Sequence, residues 1–173
     1  MRYRRANFPG ATYFFTVNLA DRQRCLLVEH VDLLRSVMRE VKQRHPLYIE
    51  AMVVLPDHLH VIWRLPEHDA DFALRWSLIK AGFSRGLPKK EDISASRASK
   101  RERGIWQRRY WEHLIRDEAD FERHVDYIHY NPVKHDHVVK PIDWPHSSIH
   151  RYVREGVLVA DWGGVDEYGA YGE

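Results

Sequence analysis

The stretch LYIEAMVVLPDHLHVIWRL, Leu47–Leu65, decides how this chain folds. Leu47–Leu55 is apolar and β-branched, Pro56-Asp57 is a turn signal, and His58–Leu65 is apolar again. That pattern predicts two strands joined as a hairpin. Successive side chains of a strand point to opposite faces. His58 and His60 therefore share one face, while Leu59, Val61 and Trp63 share the other, which belongs in a core. Cα atoms two apart in a strand lie about 6–7 Å from one another, so the imidazoles stand side by side. They can converge on one cation at about 2.1 Å from each nitrogen. The spacing alone is weak evidence, because a chain with 12 histidines yields about one His-x-His by chance. There is a second pair, His135/His137, in a polar stretch that reads as surface.

Working outward, Thr12–Leu19 alternates Tyr13, Phe15, Val17 and Leu19 and reads as a strand. Glu29–Arg44 carries Val31, Leu34, Met38 and Val41 at helical spacing, and Pro46 closes it. Asp71–Arg85 places Phe72, Trp76, Ile79 and Phe83 on one helical stripe, ended by Gly86 and Pro88. Pro88–Gly104 has no large apolar residue except Ile93 and reads as a charged loop. Ile105–Arg116 is aromatic-rich and predicts a fourth strand. Asp117 is an N-cap for a helix running to about Tyr130, with Pro132 leaving Asn131 at its end. A short helix follows near Ser147–Arg154. The order βαββαβ, then a helix and a tail, predicts an α+β ferredoxin-like sandwich with an antiparallel sheet. Residues 1–155 read as one domain carrying the loop 88–104, and residues 156–173 as an acidic tail.

Composition bounds the function. In 173 residues, 44% hydrophobic and 30% charged exclude wholesale disorder. No apolar run reaches the roughly 18 residues of a membrane span, and MRYRRANFPG lacks a signal-peptide core. The lone Cys25 cannot form an internal disulfide, so the expected compartment is the cytoplasm. The net charge of +2 is a cancellation. Arg85–Arg116 holds ten Lys/Arg against four Asp/Glu, Arg2, Arg4 and Arg5 make a basic arm, and Glu155–Glu173 holds five acids and no Lys/Arg. Such a distribution points to nucleic acid. Arg2, Arg4, Arg5, Arg108 and Arg109 are candidates for phosphate contacts. Trp106, Tyr110 and Trp111 are candidates for stacking unpaired bases, with core packing as the alternative for each.

On the helix after Asp117, Asp120, His124, Tyr127 and Asn131 fall within about 60° on the helical wheel, beside the apolar stripe of Phe121, Val125 and Ile128. Tyr127 and Asn131 are one turn apart, so a phenol and an amide oxygen can reach one point. The residues alone leave plainer roles open: a half-buried tyrosine, a C-capping asparagine and a surface His124.

Four segments in order, VVLPDHLHVIW (Val53–Trp63), GIWQRRYWEHLIRD (Gly104–Asp117), HVDYIHYNPVKH (His124–His135) and DWPHSS (Asp143–Ser148), resemble the REP-associated tyrosine transposases. These are single-tyrosine HUH enzymes that act on single-stranded DNA. The resemblance implies that His58 and His60 are the metal pair, Tyr127 the nucleophile and Asn131 the third ligand, where many relatives carry Gln. It places Asp136 where most relatives have Gly. It implies a divalent cation, Mg²⁺ or Mn²⁺, and the two nitrogen ligands suit Mn²⁺ better. The implied reaction cleaves and rejoins DNA through a 5′-phosphotyrosine at hairpins of repetitive palindromic elements, with the protein acting as a monomer. The competing reading is a non-catalytic binder of single-stranded nucleic acid. Retention of all four supposed active-site residues argues against it.

Overall fold

A computed structural model of the chain describes residues 7–163. Its four strands are β1 (Thr12–Asn18), β2 (Tyr48–Val54), β3 (His58–Arg64) and β4 (Trp111–Leu114). They form one antiparallel sheet in the order β2-β3-β1-β4. The helices are α1 (Leu26–Glu29), α2 (Val31–Arg44), α3 (Phe72–Gly86), α4 (Ala95–Ser99), α5 (Glu118–Lys134) and α6 (Ile149–Arg154). The α+β sandwich expected from the sequence is the fold observed.

The alternation in β3 sorts the two faces as the pattern requires. Leu59, Val61 and Trp63 join Tyr13, Phe15 and Val17 in the larger core, against α2 and α3. Trp63 and Trp76 stack there with ring centroids 4.2 Å apart. The helices close up at Gly82, where a Cβ would lie 2.7 Å from Val37 Cγ1. The other face carries Phe14, Val53 and Ile62 against Val125, Tyr127 and Ile128 of α5. This second, smaller core is where α5 is mounted.

Three elements depart from expectation. The fourth strand is shorter than Ile105–Arg116. Trp106 makes only an isolated bridge to Leu19, just past the end of β1; its Nε1–H donates to the Lys80 carbonyl (3.2 Å) and its ring packs on Phe83 of α3. That draws the segment off the sheet edge until Trp111. The charged loop 88–104 contains the short helix α4. It is also pinned, because Arg103 reaches Glu91 and the carbonyls of Leu87 (2.9 Å) and Pro88 (2.8 Å). Helix α5 runs through Pro132 to Lys134. Proline lacks the N–H for the carbonyl four residues back, yet the helix needs one turn more. That turn closes when His137 N–H donates to Pro132 O (2.9 Å) and Asp136 N–H to Val133 O (3.0 Å), with Asp136 at φ +57°.

The DWPHSS segment is a fastener. Val54 N–H donates to His146 O and Ser148 N–H to Met52 O, so the segment covers the outer edge of β2. Trp144 Nε1–H donates to Val54 O (2.9 Å). Among the described residues no helix is long and apolar enough to cross a membrane.

Candidate active site

The β1–β3 register sets Asn18 opposite His58 and Thr16 opposite His60. Both imidazoles are buried, at 1% and 0% exposure, with ring centroids 4.9 Å apart. Each is oriented through Nδ1. His58 Nδ1–H donates to Asp57 Oδ1 (2.8 Å), and His60 Nδ1 meets Thr16 Oγ1 at 2.8 Å. A neutral imidazole protonated at Nδ1 offers its lone pair at Nε2, which is the arrangement of a metal-ligating histidine. Arg22 grips Asp57 from the other side and donates to Asn18 Oδ1 (3.0 Å). Burial alone would raise the Asp57 carboxyl. The hydrogen bonds from His58 and Arg22 outweigh it and hold the group well below the usual carboxylate range.

Helix α5 brings the remaining residues. Asp117 caps it by accepting from Asp120 N–H (2.8 Å). The Tyr127 and His60 ring centroids lie 5.1 Å apart, and those of His135 and His58 also 5.1 Å. Asn131 is four residues from each of Tyr127 and His135, one turn either way, so it is bracketed at the level of the histidine pair. It is fully buried, and neither amide atom makes a hydrogen bond. His58 Nε2 is likewise buried without one. Buried polar atoms are rarely left so, and an amide oxygen one turn from two rings that pack on the oriented imidazoles fits a divalent cation. Lys134 Nζ donates to Tyr127 Oη at 3.4 Å and lies 5.0 Å from the ring centroid. Sequence reasoning missed Asp57, Arg22, Lys134 and His135. Continuing the helical wheel past Pro132 would have found the last two.

His124, read from sequence as a surface residue, is buried at 2% exposure because α5 turns that side onto Phe14. It stacks on His113 at 4.6 Å. His113, Asp120 and His124 each bring one potential ligand atom within 4.8 Å of the others, a triad compatible with a divalent metal. These atoms are also engaged with one another: His113 Nε2–H donates to Asp120 Oδ2 (2.8 Å) and His124 Nδ1–H to the Asp120 carbonyl (2.7 Å). Burial would raise the Asp120 carboxyl, but His113 and the Arg116 N–H keep it low. Burial lowers the His124 imidazole.

Of the candidates for DNA contact, Trp106, Arg108 and Tyr110 line one groove beside α3. Arg2, Arg4 and Arg5 lie outside the described residues. Trp106 is 7% exposed, and Tyr110 packs on Phe15 and Trp76. Arg108 donates to Glu102 (2.8 Å). Arg109 and Trp111 are exposed at the β4 edge.

The sequence profile of the family described as "Transposase IS200 like" matches residues 9–131. The REP-associated tyrosine transposase of Escherichia coli K12 is 45% identical over 162 residues, covering 94% of this chain and 90% of its own length. A Haemophilus influenzae relative described in similar terms is 45% identical over 163 residues, covering 94% and 93%. The solved structure of a REP-associated tyrosine transposase bound to a REP hairpin superposes with a TM-score of 0.86 at 43% identity, over 100% of this chain and 97% of that one. The chain belongs to the IS200-like transposase family, in its REP-associated tyrosine transposase group, and is an enzyme of DNA cleavage and strand transfer.

Proposed function

We propose that the chain cleaves and rejoins single-stranded DNA at hairpins of repetitive palindromic elements, with Tyr127 as nucleophile. One observation carries this reading: Tyr127 and His135 reach His60 and His58 and bracket the buried, unsatisfied amide of Asn131. The relative bound to a REP hairpin supports the choice of partner. Tyr127 Oη attacks the phosphodiester, the bond from phosphorus to the 3′-oxygen breaks, and a 5′-phosphotyrosine remains. The phenol's proton is lost and the departing 3′-oxygen gains one. The phosphodiester energy is kept in the covalent adduct, so a second 3′-OH can reverse the step without ATP.

A free phenol titrates near 10, so phenolate is scarce at neutral pH. The Lys134 ammonium at Tyr127 Oη favours the negative oxygen. Asp57 and Thr16 hold His58 and His60 in the ligating tautomer. His58 Nε2, His60 Nε2 and Asn131 Oδ1 would hold Mg²⁺ or Mn²⁺. When bound, the cation supplies electrostatic stabilisation of the charge on the scissile phosphate. The satisfied hydrogen bonds of His113, Asp120 and His124 favour a positioning role for that group. Arg109 and Trp111, with the basic arm of Arg2, Arg4 and Arg5, serve DNA binding. Residues 1–155 act as one domain, working as a monomer, and the acidic tail from residue 156 is an appendage.

The test uses a labelled single-stranded hairpin from repeats flanking the chain's gene, with Mn²⁺ and a denaturing gel. The wild type is expected to give a protein–DNA adduct. Tyr127→Phe is expected to give none while hairpin binding persists. An adduct formed by that variant would overturn the assignment.

A further inference from the structure

Arg22 carries more N–H donors than its neighbours use. Its Nε–H goes to Asp57 Oδ2, and an Nη1–H goes to Asn18 Oδ1 (3.0 Å). Nη2 lies 3.4 Å from His58 Nδ1. That ring nitrogen carries the proton given to Asp57 Oδ1 (2.8 Å), so it has no lone pair to offer and donor faces donor. Among the described residues Nη2 meets no acceptor. The side chain is 40% exposed, so a strand of DNA can reach it. A guanidinium is planar, and anchoring Nε and Nη1 fixes the direction of Nη2. The β1–β3 register, with Asn18 opposite His58, returns the connection after β1 to this place.

A brace for Asp57 needs no such surplus. The Asp57 carboxylate is already shared between His58 and Arg22. A cation on His58 Nε2 would add positive charge across one imidazole ring from the guanidinium. Like charges that close repel, and an anion touching both removes the repulsion. A DNA phosphate is such an anion, and its oxygens match the planar fork of an arginine. We infer that Arg22 donates from Nη2 to a non-bridging oxygen of the scissile phosphate. Guanidinium and cation then hold that phosphate from two sides. The guanidinium also offsets the charge that gathers on the phosphoryl oxygens as Tyr127 attacks. This rests on the DNA cleavage proposed above and adds to it a protein donor on the reacting phosphate.

The experiment is a binding cycle on the Tyr127→Phe chain, which leaves the DNA whole. The wild-type adduct first identifies the cleaved bond in a hairpin from the gene-flanking repeats. Two labelled probes are then compared in EDTA, so that no cation joins protein to DNA. One is the unmodified hairpin, and the other carries a methylphosphonate at that bond, which removes the charge of the phosphate. Adding Arg22→Gln is expected to weaken binding of the unmodified probe by about tenfold or more, the range of one charged hydrogen bond. Log affinity against log salt should flatten by about 0.7, the single-strand value for one phosphate. On the methylphosphonate probe the two chains should differ by less than about twofold, because the coupled partner is gone. A brace acting through Asp57 and His58 would cost the same on both probes. A second measurement keeps Arg22 in place: phenylglyoxal, read by peptide mass spectrometry, should find Arg22 shielded by saturating unmodified hairpin and reactive under the methylphosphonate one. Equal penalties on the two probes, or equal reactivity under both, would overturn the contact while wild-type adduct formation still stood. Absence of any wild-type adduct would overturn the cleavage chemistry and this role with it.

Discussion

Lys134 shows how much of the site depends on one side chain's reach. It lies seven residues beyond Tyr127, two turns along α5, which places an ammonium at the phenol oxygen. If its charge favours the nucleophile, Lys134→Met slows adduct formation by about tenfold or more, at the low end of the loss of one preorganised donor. Lys134→Arg retains most of the rate, and hairpin affinity changes little in either. Single-turnover assays at saturating DNA separate the two effects. Asp57 works at the same scale from the other side of the site, because its carboxylate decides which nitrogen of His58 is left free to act as a ligand.

Helix ends and loop anchors decide the next scale. Asp136 closes α5 with φ +57°, a conformation that costs most L-residues about 1 kcal/mol and glycine almost nothing. Asp136→Gly is therefore expected to stabilise the chain by about 0.5–1 kcal/mol in urea unfolding, and a loss of stability would refute the strain. The anchored loop gives a pH dependence. The hydrogen bond from Arg103 holds Glu91 down to about 2, against the opposing effect of burial. Its folded-state value lies below its unfolded one, so the contribution is present above about pH 4.5 and is lost as pH falls toward 2. With solvent screening allowed for, it is on the order of 1 kcal/mol. Glu91→Gln should remove that part of the acid sensitivity, read as the difference between urea midpoints at pH 5 and pH 3. At this scale the sequence was legible where local signals were strong. The β2–β3 hairpin and the Asp117 cap fall where expected, whereas Pro132 misled because tertiary contacts of the next turn outweigh its missing N–H.

At the scale of the whole molecule, helix α5 is held by a segment distant in sequence. Ser148 Oγ accepts from Met52 N–H (2.9 Å) and meets His129 Nε2 at 2.8 Å, tying β2, α5 and the start of α6 at one atom. Burial pushes the His129 imidazole down to about 3, so it sits there neutral. Ser148→Ala would leave a buried donor on β2 and a bare imidazole on α5. It is expected to cost about 1–3 kcal/mol, measured by thermal or urea unfolding. Stability equal to the wild type would mean that the fastener carries no load.

The sequence by itself determined the hairpin, the face on which His58 and His60 stand, the apolar stripes of the helices and the segregation of charge. Those follow from periodicities of two and 3.6 residues and from turn and cap chemistry, all of which are local. The resemblance to transposases then supplied roles for Tyr127 and Asn131. Only the tertiary structure decided that His135 and Lys134 reach His58 and Tyr127, that His124 is buried and that Trp106 leaves the sheet for α3. Each of these depends on which faces of α3 and α5 meet the sheet, a packing choice made by contacts between residues far apart in the chain.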